Sequence, residues 1–190
     1  MKTKQLILLR HATARLQETN AQNPNGSDFD RPLSEQGIAE ASILGEWMGR
    51  EMAAPELIIS SSSARARETI EQACEIARWD RDLITLTRSL YLADPLTIHN
   101  IISVYLERQE SIMLVGHNPG LEMTLHDYDA GLQPVNGRTL MGTGSIAVIS
   151  LTQPDEGELG QGQNTKWKAT VEQLLQKEEL ANQISNRGSR

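Results

Sequence analysis

A single cysteine, Cys74, stands in the 190 residues, so no disulfide can form within the chain. No apolar run approaches the roughly 20 residues that span a bilayer. The run near the N-terminus, Leu6-Ile7-Leu8-Leu9, breaks at Arg10 and is too short for the core of a secretory signal. These absences point to a reducing, cytoplasmic setting, with Cys74 as small core filler on a helix rather than a nucleophile. Positive charge is also in short supply. With 18 Lys and Arg against 25 Asp and Glu, the formal net charge is -7, which argues against nucleic acid or an anionic membrane as a partner. Any cationic site must therefore be local. At 38% hydrophobic and 23% charged residues, the composition excludes a disordered or fibrous class. The length suits one well-buried domain and is short for two. We expect that domain over residues 1–176, followed by a polar tail, 177–190, that forms no part of the fold.

What is present is a recurring pattern of an aliphatic run, a polar stop, and then a cation or an imidazole. Residues 6–9 read as a strand buried on both faces, since four successive aliphatics leave no polar face, and Arg10 and His11 follow at its carboxyl end. Residues 13–29 are polar and contain Asn23-Pro24-Asn25-Gly26, a turn signal, so a loop is expected above that strand end. Ser34 is a good N-cap for a helix carrying Ile38, Ala41, Ile43, Leu44, Trp47 and Met48 at near-helical spacing. Leu57-Ile58-Ile59 is a second strand that stops at four serines, Ser60 to Ser63, and Arg65 then sits in a helix over 64–78. A third strand is expected at 83–86. Asp94-Pro95 opens a helix through Ile98, Ile101, Ile102 and Leu106. Residues 111–115 form a fourth strand, ending at Gly116-His117-Asn118-Pro119-Gly120, with a helix over 121–128. A fifth strand spans 145–151, a loose connection 154–164, and an edge strand with a final helical turn 167–175. Strands alternating with helices predict a three-layer α/β/α sandwich on a mainly parallel mixed sheet. The last two strands have no helix between them and should be antiparallel.

In an open α/β sheet, ligands meet the carboxyl ends of the strands. Three such ends here present Arg10 with His11, Arg65, and His117, and the helix from residue 121 adds its N-terminal amides. Two planar guanidinium forks suit phosphate oxygens better than two ammonium groups do. A neutral imidazole can attack phosphorus, and the phosphoimidazole so formed is readily attacked by water. The second imidazole, protonated or donating, can hydrogen-bond the equatorial oxygens as charge spreads over them. This chemistry needs no metal and no other cofactor. His99 and His126 lie within helix patterns away from strand ends and read as surface or packing residues.

Leu9-Arg10-His11-Ala12, the segment 30–37, residues 61–69 around Arg65, and Val115-Gly116-His117-Asn118-Pro119-Gly120 together resemble the histidine phosphatase superfamily. Within it they are most similar to the small bacterial phosphohistidine phosphatases of the SixA type, in order from about residue 4 to 151. The resemblance implies a phosphoglycerate mutase-like sandwich, phosphorylation of His11, phosphate binding by Arg10 and Arg65, and completion of the pocket by His117. Thr13 and Asn118, close in sequence to the two histidines, are expected to touch substrate. Two departures stand out. Family members usually show Ser-Pro before the second arginine's helix, whereas this chain has Ser61-Ser62-Ser63-Ala64. Many members also carry a glutamate after the third strand as general acid, but Arg88-Ser89-Leu90-Tyr91-Leu92 has no carboxylate. Asp94 is the nearest acid, a candidate general acid and equally an N-cap for the helix that follows.

The expected activity is a phosphohydrolase working through phosphohistidine, on a phosphate-bearing substrate such as a phosphohistidine in a signalling or phosphotransfer protein. A phosphate monoester phosphatase or a phosphomutase would use the same chemistry. Retention of all four pocket residues weighs against a non-catalytic phosphate-binding module. Specificity would be set by the loops 13–29 and 129–143.

Overall fold

The aliphatic run near the N-terminus lies in a central strand, β1 (Thr3–Arg10), and its side chains divide between two cores. Leu6 and Leu8 face one side of the sheet and Ile7 and Leu9 the other, all four fully buried, each worth about 1.5–3 kcal/mol of apolar transfer. The computed structural model describes residues 3–16, 27–134, 139–153 and 167–187. The other strands are β2 (Leu57–Ser61), β3 (Ile84–Thr87), β4 (Ser111–Gly116), β5 (Ile146–Thr152) and β6 (Lys168–Leu175), in the order β3-β2-β4-β1-β5-β6. The β3-β2-β4-β1 portion is parallel, and β5 and β6 run antiparallel to their neighbours. The mainly parallel mixed sheet and its antiparallel end are therefore as expected.

Helices α1 (Glu35–Glu51), α2 (Ala64–Ala77), α3 (Pro95–Leu106), α4 (Gly120–Tyr128) and α5 (Lys177–Arg187) cover the two faces. Leu44, Trp47 and Met48 of α1 join Ile70, Ala73 and Cys74 of α2 against Ile7 and Leu9. Ile98 and Ile102 of α3 and Leu121 and Leu125 of α4 cover the opposite face. The start of α1 is fixed by Ser34, whose Oγ accepts from the Gly37 amide at 3.0 Å. Gly37 lets the first turn lie against the chain just past His11, because a Cβ there would sit 2.0 Å from the Thr13 carbonyl oxygen. Along the predicted apolar stripe, Ile38 is exposed, and Glu40 is buried in the same helix. Among the described residues no helix is long and apolar enough to cross a membrane.

The expected tail differs from what is found. From Lys177 to Arg187 the chain forms α5, which packs on α1 with Leu180 fully buried. The Trp47 indole Nε1 donates to Gln183 Oε1 at 2.7 Å, and Lys177 pairs with Glu40. Leu180 and Ile184 are the residues by which this helix joins the core, too few to register as a stripe among so many polar ones. The third strand begins at Ile84, because Leu83 closes a one-turn helix, Arg81–Leu83. The turn signal at 23–26 and the connection at 154–164 lie outside the described residues.

Candidate active site

Strands β2, β4 and β1 are adjacent and parallel, so their carboxyl ends open at one edge of the sheet. Arg10 pairs with Gly116 across β1 and β4, which sets His11 beside His117 with ring centroids 4.9 Å apart. Ser60 pairs with Val115 across β2 and β4, which brings Ser61, Ser63 and the start of α2 to the same place. The four predicted pocket residues, Arg10, His11, Arg65 and His117, are thus brought together.

His11 Nδ1 lies 2.7 Å from the Ala12 carbonyl oxygen. A carbonyl only accepts, so Nδ1 carries the ring proton and Nε2 keeps its lone pair. Arg65 Nε donates to that nitrogen at 3.2 Å. Burial, with the positive charges of Arg65, Arg10 and Arg31 acting the same way, lowers His11 to a pKa of about 4, against the contrary pull of the Ala12 bond. Burial, then His11 and Arg65, lowers His117 to about 3. Both rings are therefore neutral at pH 7.

Arg10 reaches the Met141 carbonyl through Nη1 at 2.7 Å, and burial lowers its pKa against the opposing charge of Glu122. Its Nε is buried without a hydrogen-bond partner, as is Nδ1 of His117. An unpaired buried polar atom costs about 1–3 kcal/mol, so a ligand oxygen that met either of these donors would be stabilising. Arg65 is only 2% exposed; it donates through Nη1 to the Asp28 carbonyl at 2.5 Å and through Nη2 to the Asp28 carboxylate at 2.9 Å. Its terminal nitrogens are thus engaged by Asp28 while its Nε faces His11, so the full two-pronged fork expected for phosphate is not free. The Asp28 carboxylate also accepts from the Tyr91 hydroxyl at 2.8 Å and from Arg31 at 2.7 Å. Partial burial raises its pKa, but Tyr91 and the two arginines outweigh it and take the carboxyl down to about 2. Tyr91 in turn meets the His117 ring edge-on at 5.5 Å.

Asp28, Tyr91, Ser61 and Ser63 were not singled out from sequence. Asp28 and Tyr91 lie in loops without periodic signal, whereas the serines left one, the polar stop at the end of a buried strand. Thr13 donates to Glu40 through both its amide and its hydroxyl, at 2.8 and 3.0 Å, and its Oγ lies 2.8 Å from Thr143 Oγ. Asn118 Nδ2 donates to Glu122 at 2.7 Å and to the Met141 carbonyl at 2.9 Å. The structure therefore places both residues as braces around the pocket, with their donors already in use. Asp94 is exposed and caps α3, its carboxylate accepting from the Thr97 amide at 2.8 Å, which lowers its pKa. It hydrogen-bonds none of the four pocket residues. Among the described residues, no group of three or more His, Cys, Asp or Glu side chains is placed to hold a metal ion.

Two guanidinium groups and two neutral imidazoles thus meet at the carboxyl edge of a mainly parallel sheet in an α/β protein. The profile of the histidine phosphatase superfamily (branch 1) matches residues 6–86. A crystal structure of a protein from Agrobacterium tumefaciens assigned as the phosphohistidine phosphatase SixA is 30% identical, with a TM-score of 0.69 over 91% of this chain and 98% of that one. The chain belongs to the histidine phosphatase superfamily. The protein histidine phosphatase SixA complexed with tungstate shares the fold at 21% identity and a TM-score of 0.66, over 93% of this chain and 99% of that one. An uncharacterized protein of Mycobacterium leprae is 32% identical over 93 residues, 49% of this chain and 55% of that one. The chain spans just over half the length of the curated relatives it matches.

Proposed function

We propose that the chain is a cytoplasmic phosphatase that works through a phosphohistidine formed at Nε2 of His11, with protein-borne phosphohistidine as its favoured substrate. The observation that carries this reading is the state of His11: neutral, its Nδ1 proton held by the Ala12 carbonyl and its Nε2 lone pair directed at a cation. In this scheme Nε2 attacks phosphorus and the leaving group departs from the opposite face. Arg10, Arg65 and His117 stabilise the charge spread over the equatorial oxygens. Water then attacks phospho-His11, releasing phosphate and restoring the ring. No step calls for a metal, and activity is expected to be unchanged by chelators.

The substrate class follows from proton supply. An alkyl phosphate leaves as an alkoxide and needs a donor, commonly worth about 10²–10⁴-fold. Asp28 is held ionised by its pKa of about 2, and Asp94 is turned to solvent as a helix cap. A phosphohistidine instead leaves as imidazole, a group protonated near neutral pH that can depart with little help. The likeness to the SixA-assigned protein supports the same reading. The test is a panel assay setting a phosphohistidine protein against sugar phosphates, nucleotides and a simple alkyl phosphate. Preference for the phosphohistidine is expected; efficient alkyl phosphate hydrolysis that collapses in Asp94→Asn would overturn it.

A further inference from the structure

The end of β2 carries a buried hydroxyl cluster whose protons can be counted. Ser61 and Ser63 are both fully buried. Ser61 Oγ lies 3.0 Å and Ser63 Oγ 3.2 Å from Nε2 of His117, and the two hydroxyls are 3.2 Å apart. The Ser63 amide donates to Ser61 Oγ at 3.3 Å. Each hydroxyl has one proton to give and room to accept. Were Nε2 to carry the ring proton, it would donate to one serine, and one of the two hydroxyl protons would have no acceptor in the cluster. With a lone pair on Nε2, Ser61 donates to Ser63, Ser63 donates to the ring, and every proton is used.

We infer that Ser61 and Ser63 are positioning residues that lock His117 in its Nδ1–H tautomer, which makes a neutral imidazole a hydrogen-bond donor to the phosphoryl group. Nδ1 is the buried atom of this ring that has no partner within the chain, as an N–H reserved for a ligand oxygen requires. Burial and the neighbouring cations keep the ring neutral, so its donor capacity depends on which nitrogen holds the single proton. What that donor meets rests on the phosphatase reading above; the tautomer itself does not. The device is also redundant, because each serine alone lies within reach of Nε2.

The experiment is long-range ¹H–¹⁵N NMR of the His117 ring in wild type, Ser61→Ala, Ser63→Ala and the double variant, alongside kinetics. Wild type and both single variants should show a protonated Nδ1 and an unprotonated Nε2, with kcat within about threefold of one another. The double variant should lose that pattern to a tautomer mixture and lose more in kcat than the product of the two measured single effects, about tenfold at the least. A protonated Nε2 in wild type, which needs no variant to fold, or an unchanged nitrogen pattern in the double variant, overturns the inference. Orthovanadate added to wild type should shift Nδ1. If the tautomer is found but vanadate leaves that nitrogen unmoved, the tautomer assignment stands and the phosphate-pocket reading falls.

Discussion

Arg65 Nε donates to His11 Nε2 at 3.2 Å while the terminal nitrogens of the same guanidinium hold Asp28. One planar group thus ties His11 Nε2 to the loop that carries Asp28 and keeps its own positive charge beside that imidazole. An ammonium cannot reproduce that fork. Arg65→Lys is expected to lower kcat/KM by roughly 10² or more, the scale of a lost transition-state charge contact, with Arg10→Ala similar. Steady-state kinetics and vanadate inhibition measure it, and a lysine variant that behaved like wild type would contradict the role.

Asp28 neutralises a guanidinium that is almost wholly buried, so its loss should be felt in stability. Because Asp28 itself is about one-third exposed, the penalty is reduced from that of a fully buried pair. Asp28→Asn is expected to destabilise by roughly 1–2 kcal/mol, read from denaturant unfolding. Unchanged stability would show that Arg65 needs no anionic partner.

The two pocket histidines predict a slope of stability with pH. Their pKa values of about 4 and about 3 in the folded chain lie below the ordinary value of 6.5, so between those limits the unfolded chain binds more protons. Stability should therefore be fully present above about pH 7 and fall as pH is lowered toward 4, by on the order of 3 kcal/mol per ring. His117→Gln should flatten the slope by about one proton. A wild-type protein equally stable at pH 7 and pH 4.5 would contradict the burial-driven shifts.

Much of this was legible in the sequence because burial on both faces leaves an unmistakable mark. The aliphatic runs at 6–9, 57–59 and 111–115 became the three central parallel strands, and their polar stops became the pocket. Arg10, His11, Arg65 and His117 could be found that way. Asp28 and Tyr91 could not, since their place depends on how loops fold over the strand ends. Thr13 and Asn118 sit where their sequence neighbours put them, but Glu40 and Glu122, on helices, claim their donors. The missing carboxylate after the third strand was legible as well, and Asp94 is bound up in capping α3.

The last helix was the largest surprise, and it offers its own test. Leu180 is its fully buried anchor against α1, and Lys177 ties it to Glu40, which in turn holds Thr13 two residues beyond His11. Leu180→Ala is expected to cost about 2–4 kcal/mol, seen as a lower Tm. A variant as stable as wild type would mean that α5 does not dock in solution.

The central claim is that phosphoryl transfer passes through His11. Rapid quenching of wild type during turnover of a ³²P-labelled phosphohistidine protein should trap label that is acid-labile and base-stable, maps to His11, and disappears in His11→Ala while that variant keeps its fold. Label at another residue, or turnover in His11→Ala within a few-fold of wild type, would contradict the account.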